Sequence, residues 1–330
     1  MKQFGPDRVR EHGALKPVAE FLHHDHMGRL GIANSMRLAR TMNTLRWRRE
    51  AAQRRRLYNT QFDELIRRNG TSVRPLLQMQ DGFAIDTSGT LPHLDRVLAQ
   101  ADEIIAERGG KRATAPNSYR SFFSDVWRDE DCERFPAFLD FATSSDVVGV
   151  VSNYLRTIPV LSTTIPPGIR FVESNMDYDD TPDVLKESQL YHIDYYSVPS
   201  VYVLVALHDT TFDHGPWTFL PRGVSQRAKT ELGYWKRGVP YRLDDSTMFS
   251  AADKDEVIEF SYPRGSVLFI DPSACFHFGS RSVNPRFMLM IGYTDIVRTD
   301  FSEWFIKNRK FPVRATDSRL RKMLVDKRAV

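Results

Sequence analysis

The chain has 330 residues, of which 41% are hydrophobic and 27% are charged, a composition ordinary for a soluble globular protein. No apolar run approaches the roughly 20 residues that a membrane-spanning helix needs. The first residues also lack the apolar stretch of a secretory signal. The sequence therefore predicts a cytoplasmic protein without a transmembrane segment. Its two cysteines, Cys132 and Cys275, match no zinc or redox spacing and are expected to be reduced thiols.

Positive charge is concentrated near the N-terminus. Residues 1–75 carry 16 Lys and Arg against 7 Asp and Glu, whereas the remaining 255 residues carry 30 against 35. The most basic stretch, from Arg46 to Leu57, is either a solvated helix face or a contact for an anionic substrate, a membrane surface or an acidic partner. Nucleic acid is disfavoured as a partner, because aromatic residues interleave poorly with the basic ones and no reader motif is present.

The predicted elements begin with helices. Apolar residues recur at helical spacing over residues 15–68, and Gly70 ends that pattern. A short strand at 80–85, a helix from Leu94 to Arg108 and one or two helices from Phe135 to Leu155 follow. We therefore predict a basic helical N-terminal extension (1–75), a core domain (76–300) and a basic C-terminal helix or tail (301–330).

From about Ile169 the sequence changes to short apolar segments separated by turns. One helix, near Val224 to Arg237, interrupts them. This pattern of short apolar segments predicts a mainly β core with flanking helices, in the form of a barrel or jelly roll rather than alternating βα units. The predicted strands are IRFVES, QLYHID, SVYVLVALHD, WTFLP, EVIEFSYP, SVLFID, ACFHFGS and RFMLMIGYT.

Candidate metal ligands occur within this β region. His192 and Asp194 lie two apart in the predicted strand QLYHID, so both side chains share one face. A second copy of the spacing, His23 and Asp25, lies in a predicted helix, where residues two apart point in nearly opposite directions. His277, in a late apolar segment, is the expected third ligand. Two imidazoles and one carboxylate on one face are typical of non-haem iron oxygenases.

Polar residues near these ligands are candidates for binding other groups. Arg286 begins the last predicted strand, and its guanidinium would pair with a carboxylate, such as the far end of a dicarboxylic acid that chelates the metal. Arg281 is the alternative anchor. Gln189 would bind the cofactor or orient the ligand strand, unless it is simply a strand-edge residue. Arg222 would meet an anionic substrate, unless it lies in a solvated turn.

The segment from Gln80 to Thr294 resembles the phytanoyl-CoA dioxygenase-like family of Fe(II)/2-oxoglutarate-dependent oxygenases. The resemblance rests on DGFAID, QLYHID, GPWTFLP and GSVLFIDPSACFHFGSRSVNPRF, in that order. It implies a double-stranded β-helix, which is a cupin-like jelly roll, with 2-oxoglutarate held through its distal carboxylate by Arg286. The iron ligands that it implies are His192, Asp194 and His277.

The same resemblance implies a function. Dioxygen and 2-oxoglutarate would be consumed and a C–H bond of a small molecule, anionic in one interpretation, would be hydroxylated, with succinate and carbon dioxide released. Asp194 favours hydroxylation over halogenation, because related halogenases have a small residue there, whereas desaturation and ring formation share the same first step and stay open. The family often has Pro-Gly-Ser-His where this chain reads Pro221-Arg222-Gly223-Val224-Ser225, so substrate contacts there are not carried over. A protein hydroxylase and a metal-binding jelly-roll module without turnover are the alternatives, and the oligomeric state is left open.

Overall fold

The computed structural model describes residues 30–70, 77–111, 121–128, 130–179, 183–306 and 308–330, and within them the chain combines helices with antiparallel sheets. The helices are α1 (Ile32–Arg46), α2 (Arg48–Asn69), α3 (Leu94–Arg108), α4 (Asp131–Arg134), α5 (Ala137–Ala142), α6 (Ser145–Leu155), α7 (Arg222–Glu231), α8 (Asp245–Met248), α9 (Ser302–Phe305) and α10 (Arg319–Val325). The strands are β1 (Phe83–Asp86), β2 (Phe123–Asp125), β3 (Val160–Leu161), β4 (Ile169–Ser174), β5 (Ser200–Ala206), β6 (Thr218–Phe219), β7 (Ile258–Glu259), β8 (Val267–Ile270), β9 (His277–Phe278) and β10 (Arg286–Thr294).

Strand β5 lies in the interior of the larger sheet. The strand order is β1-β8-β5-β10-β4-β2, with β3 also paired to β10, and the pairings are antiparallel. Val203 of β5 is opposite Phe269 of β8 on one side and Ile291 of β10 on the other. All seven residues of β5 are buried, because both faces of the sheet are covered. This double burial explains why the strand is continuously apolar instead of alternating.

The larger sheet separates two apolar layers, since successive side chains of a strand point to opposite faces. Val203 and Val205 belong to the layer that packs against α3, α5 and α6. Tyr202 and Leu204 belong to the opposite layer, where Phe219 of the smaller sheet packs against them. The smaller sheet has the order β7-β6-β9 and is also antiparallel. Its strand β9 therefore delivers His277 beside the layer that contains Tyr202.

The terminal helices pack onto this core. Helix α2 contacts α6 and α10, and its Arg54 is fully buried. The Arg54 guanidinium donates hydrogen bonds to the backbone carbonyls of Met323 at 2.7 Å, Asp326 at 2.8 Å and Ala329 at 3.1 Å. The Arg54 side chain thus joins helix α2 to helix α10 and to the residues that follow α10.

Several predicted elements are confirmed and two need correction. The helix Leu94–Arg108 has the predicted bounds. The helix predicted at Val224–Arg237 is instead Arg222–Glu231, and Gly233 with a φ of 59° follows its end. The predicted strand QLYHID is reduced to two isolated bridges, because Tyr191 pairs with Leu243 whereas His192 pairs with His277 on another segment. No continuous ladder forms when neighbouring residues bond to different partners.

Both cysteines, Cys132 and Cys275, are buried free thiols, as predicted. Within the described ranges, no helix has both the length and the apolar character that crossing a bilayer requires.

Candidate metal centre

His192 and His277 meet at the junction of the smaller sheet with the segment that precedes β5. The backbone N–H of each histidine donates to the carbonyl of the other, at 3.0 Å in both directions. Their ring centroids lie 4.3 Å apart. Asp194 follows two residues later, and its N–H donates to the carbonyl of Pro272 at 2.8 Å. Backbone pairing therefore brings two distant parts of the sequence to one point.

The three predicted ligand side chains converge. One ligand atom from each of His192, Asp194 and His277 lies within 4.8 Å of the other two, and all three residues are buried. In the part of the chain that the structure describes, no other group of three or more His, Cys, Asp or Glu side chains has this spacing. The alternative pair His23 and Asp25 lies outside the described residues.

The hydrogen bonds of the two imidazoles fix their orientation. Nδ1 of His192 lies 2.8 Å from the carbonyl oxygen of Leu190, and Nδ1 of His277 lies 3.0 Å from that of Cys275. A carbonyl only accepts, so each Nδ1 carries the proton and each neutral ring keeps its lone pair on Nε2. Burial lowers the pKa of His277, which favours that neutral form. In both rings the Nε2 lone pair is therefore available to bind a metal ion.

Asp194 divides its two oxygens between the site and a tyrosine. Its Oδ1 lies 3.8 Å from Nε2 of His192, whereas its Oδ2 accepts a hydrogen bond of 2.5 Å from the hydroxyl of Tyr202. Burial, and then the nearby Asp194 carboxylate, raises the pKa of Tyr202 well above its ordinary value. The phenol therefore stays protonated as a donor and holds one carboxylate oxygen while the other faces the histidines.

Trp217 covers one side of His277. The two rings are stacked, with centroids 4.7 Å apart and an interplanar angle of 13°. A Cβ atom placed on Gly279 would lie 3.7 Å from both the Trp217 ring and Nη2 of Arg286. The indole therefore contacts His277 and lies close to Arg286, so the arginine is near the candidate metal ligands.

Arg286 is a buried cation that has no carboxylate partner among the described residues. It is 2% exposed, and among the described residues no Asp or Glu lies within ion-pair distance of it. Burial lowers its pKa to about 10. The guanidinium donates to the carbonyl of Gly215 and to the hydroxyls of Ser280 at 3.0 Å and Ser174 at 3.3 Å. Its Nε has no hydrogen-bond partner among the described residues. A buried, uncompensated guanidinium of this kind is matched to an anionic ligand.

The alternative anchor, Arg281, already has an anion. Its two terminal nitrogens donate to the carboxylate oxygens of Asp245 at 2.8 and 2.7 Å, and its Nε donates to the carbonyl of Gln189 at 2.8 Å. The guanidinium also lies 3.5 Å from the ring centroid of Phe278. These contacts favour a structural role for Arg281 and leave Arg286 as the better carboxylate site.

Gln189 is buried and its amide is occupied by protein groups. Its Nε2 donates to the carbonyl of Ser280 at 2.9 Å, and its Oε1 accepts from the N–H of Lys186 at 3.0 Å. The side chain thereby joins the turn before His192 to the segment after β9. Of the two roles predicted for Gln189, the contacts favour orienting the ligand segment over binding a cofactor.

Sequence reasoning missed the outer partners of the site. Tyr202, Ser174 and Ser280 bind the side chains of candidate site residues, yet none belongs to a recognisable motif. The one available signal for Tyr202 was a phenol inside the aliphatic run VYVLVAL, since a buried hydroxyl needs a partner. Ser174 and Ser280 become neighbours only through the pairing of β4 with β10 and the turn after β9.

Comparisons with known proteins find only distant similarities to solved structures. No protein-family model matches the chain, and no curated protein does. The epimerase SnoN, solved with Fe3+, alpha ketoglutarate and nogalamycin RO, is 14% identical, with 71% of this chain and 83% of that chain covered and a TM-score of 0.43. EctD from S. alaskensis with 2-oxoglutarate and 5-hydroxyectoine is 14% identical over 70% of this chain and 80% of that chain, with a TM-score of 0.40. HygX from Streptomyces hygroscopicus with iron bound is 14% identical over 67% of this chain and 87% of that chain, with a TM-score of 0.36. Identity and TM-score are both too low for these neighbours to assign a function to the chain.

Proposed function

We propose that the chain is an Fe(II)- and 2-oxoglutarate-dependent oxygenase that acts on a small molecule. The observation that supports this function is the pairing of two features in one buried region. His192, Asp194 and His277 converge with their ligand atoms within 4.8 Å of one another, and Arg286 lies nearby, close to Trp217, as a buried cation with no carboxylate partner among the described residues.

The donor set fits ferrous iron. Two neutral imidazoles and one carboxylate, grouped on one side, leave the other side of a metal ion accessible to further ligands, an arrangement typical of non-haem iron oxygenases. The backbone carbonyls on both Nδ1 atoms and the Tyr202 hydroxyl on Asp194 are the outer contacts that such sites use to orient their ligands.

The surroundings of Arg286 fit the distal carboxylate of 2-oxoglutarate. The guanidinium has the hydroxyls of Ser174 and Ser280 beside it, and these hydrogen-bond to each other at 2.8 Å, so one of them keeps its proton for the same carboxylate. A carboxylate there would supply the missing counter-charge and an acceptor for Nε of Arg286. Shorter oxo acids lack that second charge, so the arginine would select for a dicarboxylate.

When bound, iron and 2-oxoglutarate supply the oxidation of a C–H bond by dioxygen, with release of succinate and carbon dioxide. The protein's own residues orient and enclose the reactants. Arg286 would fix the far end of the co-substrate, Tyr202 holds the free oxygen of Asp194, and Trp217 packs against one face of the His277 ring.

Several finer assignments belong to the same proposal. The two antiparallel sheets would form a double-stranded β-helix, and the motifs listed by their sequence above favour the phytanoyl-CoA dioxygenase-like family. Hydroxylation is the expected outcome because Asp194 keeps a carboxylate at the metal. A cytoplasmic location agrees with two buried free thiols. The division of the chain at residues 75 and 300 also stays a proposal.

Turnover of 2-oxoglutarate tests the proposed function. The purified protein, supplied with ferrous iron, 2-oxoglutarate and air, is expected to form succinate slowly without a substrate and faster when a substrate is added. Omission of iron should abolish succinate formation. A protein that binds iron but never consumes 2-oxoglutarate, with or without a panel of candidate substrates, would be a metal-binding module and would contradict the proposal.

Replacing Arg286 by glutamine should weaken 2-oxoglutarate binding by roughly 10- to 100-fold, the usual effect of losing a hydrogen bond to a charged group. Iron affinity should change little, because Arg286 does not contact the three candidate ligands. Isothermal titration of 2-oxoglutarate into the protein loaded with Ni(II) measures the first quantity, and competition with a coloured chelator measures iron affinity. Arg281→Gln is the matched control and should retain 2-oxoglutarate affinity; the reverse pattern would move the carboxylate site to Arg281.

Replacing Tyr202 by phenylalanine should weaken ferrous-iron affinity by roughly 10- to 100-fold, as removal of an outer partner of a metal ligand usually does. The carboxylate of Asp194 would lose the donor that fixes its Oδ2. Competition with a coloured chelator measures the affinity. Tyr293→Phe is a suitable control, because that buried hydroxyl donates to the carbonyl of Ala142 on the helical side. Equal affinities for wild type and Tyr202→Phe would show that the phenol does not position Asp194.

A further inference from the structure

Arg242 lies beside the candidate metal ligand His192. Tyr191 and Leu243 form an antiparallel bridge in which each N–H donates to the other's carbonyl, at 2.9 and 3.0 Å. In an antiparallel bridge the residue after Tyr191, His192, is opposite the residue before Leu243, Arg242. Residues opposite each other on neighbouring strands project to the same face. Tyr191 and Leu243 point to the other face, where both belong to an apolar cluster. The pairing thus directs Arg242 to the side on which His192 meets Asp194 and His277.

Aromatic rings surround this position. The Tyr241 ring centroid lies 6.1 Å from that of His192 and 5.5 Å from that of Tyr195. Tyr195 in turn lies 4.6 Å from Tyr196. The guanidinium carbon of Arg242 is 4.8 Å from the Tyr241 ring centroid. A cation next to several aromatic rings can hold an anionic group and, at the same time, pack against the carbon frame that carries it.

The hydrogen bonding of Arg242 is incomplete. Its Nη2 lies 3.6 Å from a carboxylate oxygen of Glu187, which is beyond hydrogen-bond distance. Its Nη1 is buried and has no hydrogen-bond partner in the described part of the chain. Arg281 and Arg298 differ, since each donates through two nitrogens to one carboxylate, of Asp245 and Asp300 respectively. A buried N–H of a charged group without an acceptor is costly, so it marks a place for a ligand.

Arg242 and Arg286 have different neighbours at the candidate site. Arg286 lies on the Trp217 and His277 side, as the shared distances to Gly279 show. Arg242 lies on the His192 side, across the bridge with Tyr191. The two cations are therefore available to two different anions, one on the co-substrate and one on the substrate.

We propose that Arg242 is the substrate-recognition residue, and that it binds a carboxylate or phosphate group of a small molecule whose carbon frame packs against Tyr195, Tyr196 and Tyr241. This inference rests on the proposed oxygenase function and deepens it by naming the substrate class. Arg222, the other candidate for an anionic substrate, is half exposed and lies 4.0 Å from the carboxylate of Asp81. It serves as a control.

Glu187 gives the proposal an effect of opposite sign. Its carboxylate is the one acidic group paired with Arg242 among the described residues, and it would compete with an incoming anion. Neutralising it by Glu187→Gln should therefore tighten anion binding, whereas Arg242→Gln should weaken it. A purely structural ion pair would give loss of binding in both variants.

Isothermal titration of the full-length protein loaded with Ni(II) and 2-oxoglutarate tests this inference. The probes are phenyl phosphate and phenylacetate, with phenylacetamide as the neutral analogue. In Arg242→Gln the Kd of the preferred anionic probe should rise by roughly 10- to 100-fold, with little change for phenylacetamide. In Glu187→Gln it should fall several-fold, and in Arg222→Gln it should not move. The anionic probe with the lower Kd indicates whether the substrate carries a phosphate or a carboxylate.

Other outcomes would overturn the proposal. Unchanged anion affinity in Arg242→Gln would do so, and so would equal loss for the neutral analogue, which would indicate a disturbed fold. Weaker 2-oxoglutarate binding in that variant would make Arg242 a co-substrate residue. Should Arg242→Gln fail to fold, the Glu187→Gln variant decides alone, with tighter binding as support and unchanged or weaker binding as contradiction. The anion titration is repeated on the protein without metal and 2-oxoglutarate. Anion binding that still depends on Arg242 there would support this anion site even if the oxygenase function fails.

Discussion

Replacing Asp194 by alanine is expected to abolish ferrous-iron binding at this site and, with it, the formation of succinate. Asp194 is the one carboxylate within 4.8 Å of the two histidine ligand atoms among the described residues. Without it, two neutral imidazoles would hold a divalent cation with no compensating negative charge. The loss should exceed the roughly 100-fold effect of removing an outer partner. Chelator competition measures iron affinity, and a coupled succinate assay measures turnover.

The control for this variant is Asp255→Ala, which removes an exposed carboxylate from the turn Lys254–Glu256. It should leave iron affinity and turnover unchanged. The metal-free Asp194→Ala protein should still unfold in one cooperative transition, destabilised by about 1–3 kcal/mol at most, because the buried Tyr202 hydroxyl loses its acceptor. Full turnover in Asp194→Ala would contradict the assignment of the metal site.

Replacing Arg54 by methionine is expected to destabilise the whole protein by about 3–5 kcal/mol. The Arg54 guanidinium is the common donor to backbone carbonyls of two separate segments. Its partners are Ile158, Pro159, Met323, Asp326, Lys327 and Ala329, at 2.7 to 3.4 Å. Methionine keeps most of the side-chain volume but leaves these acceptors without their donor in a water-poor region. Equilibrium unfolding in urea measures the free energy of unfolding.

Arg56→Met is the matched control for Arg54→Met. It removes the same charge from the same helix α2, but from an exposed position. Its free energy of unfolding should lie within about 0.5 kcal/mol of the wild type. Equal, small effects of both substitutions would mean that α2 is a solvated appendage and that the contacts of Arg54 do not support the fold.

The metal triad was accessible to sequence reasoning because its geometry follows from spacing. His192 and Asp194 are two residues apart in an extended segment, and this spacing places them on one side even though only isolated bridges form there. His277 was identified from its position in a late apolar segment. The structure brings the three side chains together, whereas Arg281 and Gln189 have protein partners that the sequence could not reveal.

The surroundings of the site depended on pairings that no local pattern encodes. Arg242 becomes a neighbour of His192 only because Leu243 bridges Tyr191 across about fifty residues of chain. The same limit applied to Arg54, which the sequence grouped with the exposed arginines of its basic run. A signal was present, since Ala51, Arg54 and Leu57 recur at three-residue spacing on the buried face of α2.

The most direct test of the central claim is anaerobic addition of 2-oxoglutarate to the protein loaded with ferrous iron, followed by visible absorption. Chelation of the metal by the keto acid should produce a charge-transfer band in the wild type and in Arg281→Gln. The band should be absent from Asp194→Ala, and in Arg286→Gln it should require a much higher 2-oxoglutarate concentration. Tight iron binding with no band at any 2-oxoglutarate concentration would contradict the proposed oxygenase, and so would an undiminished band in Asp194→Ala.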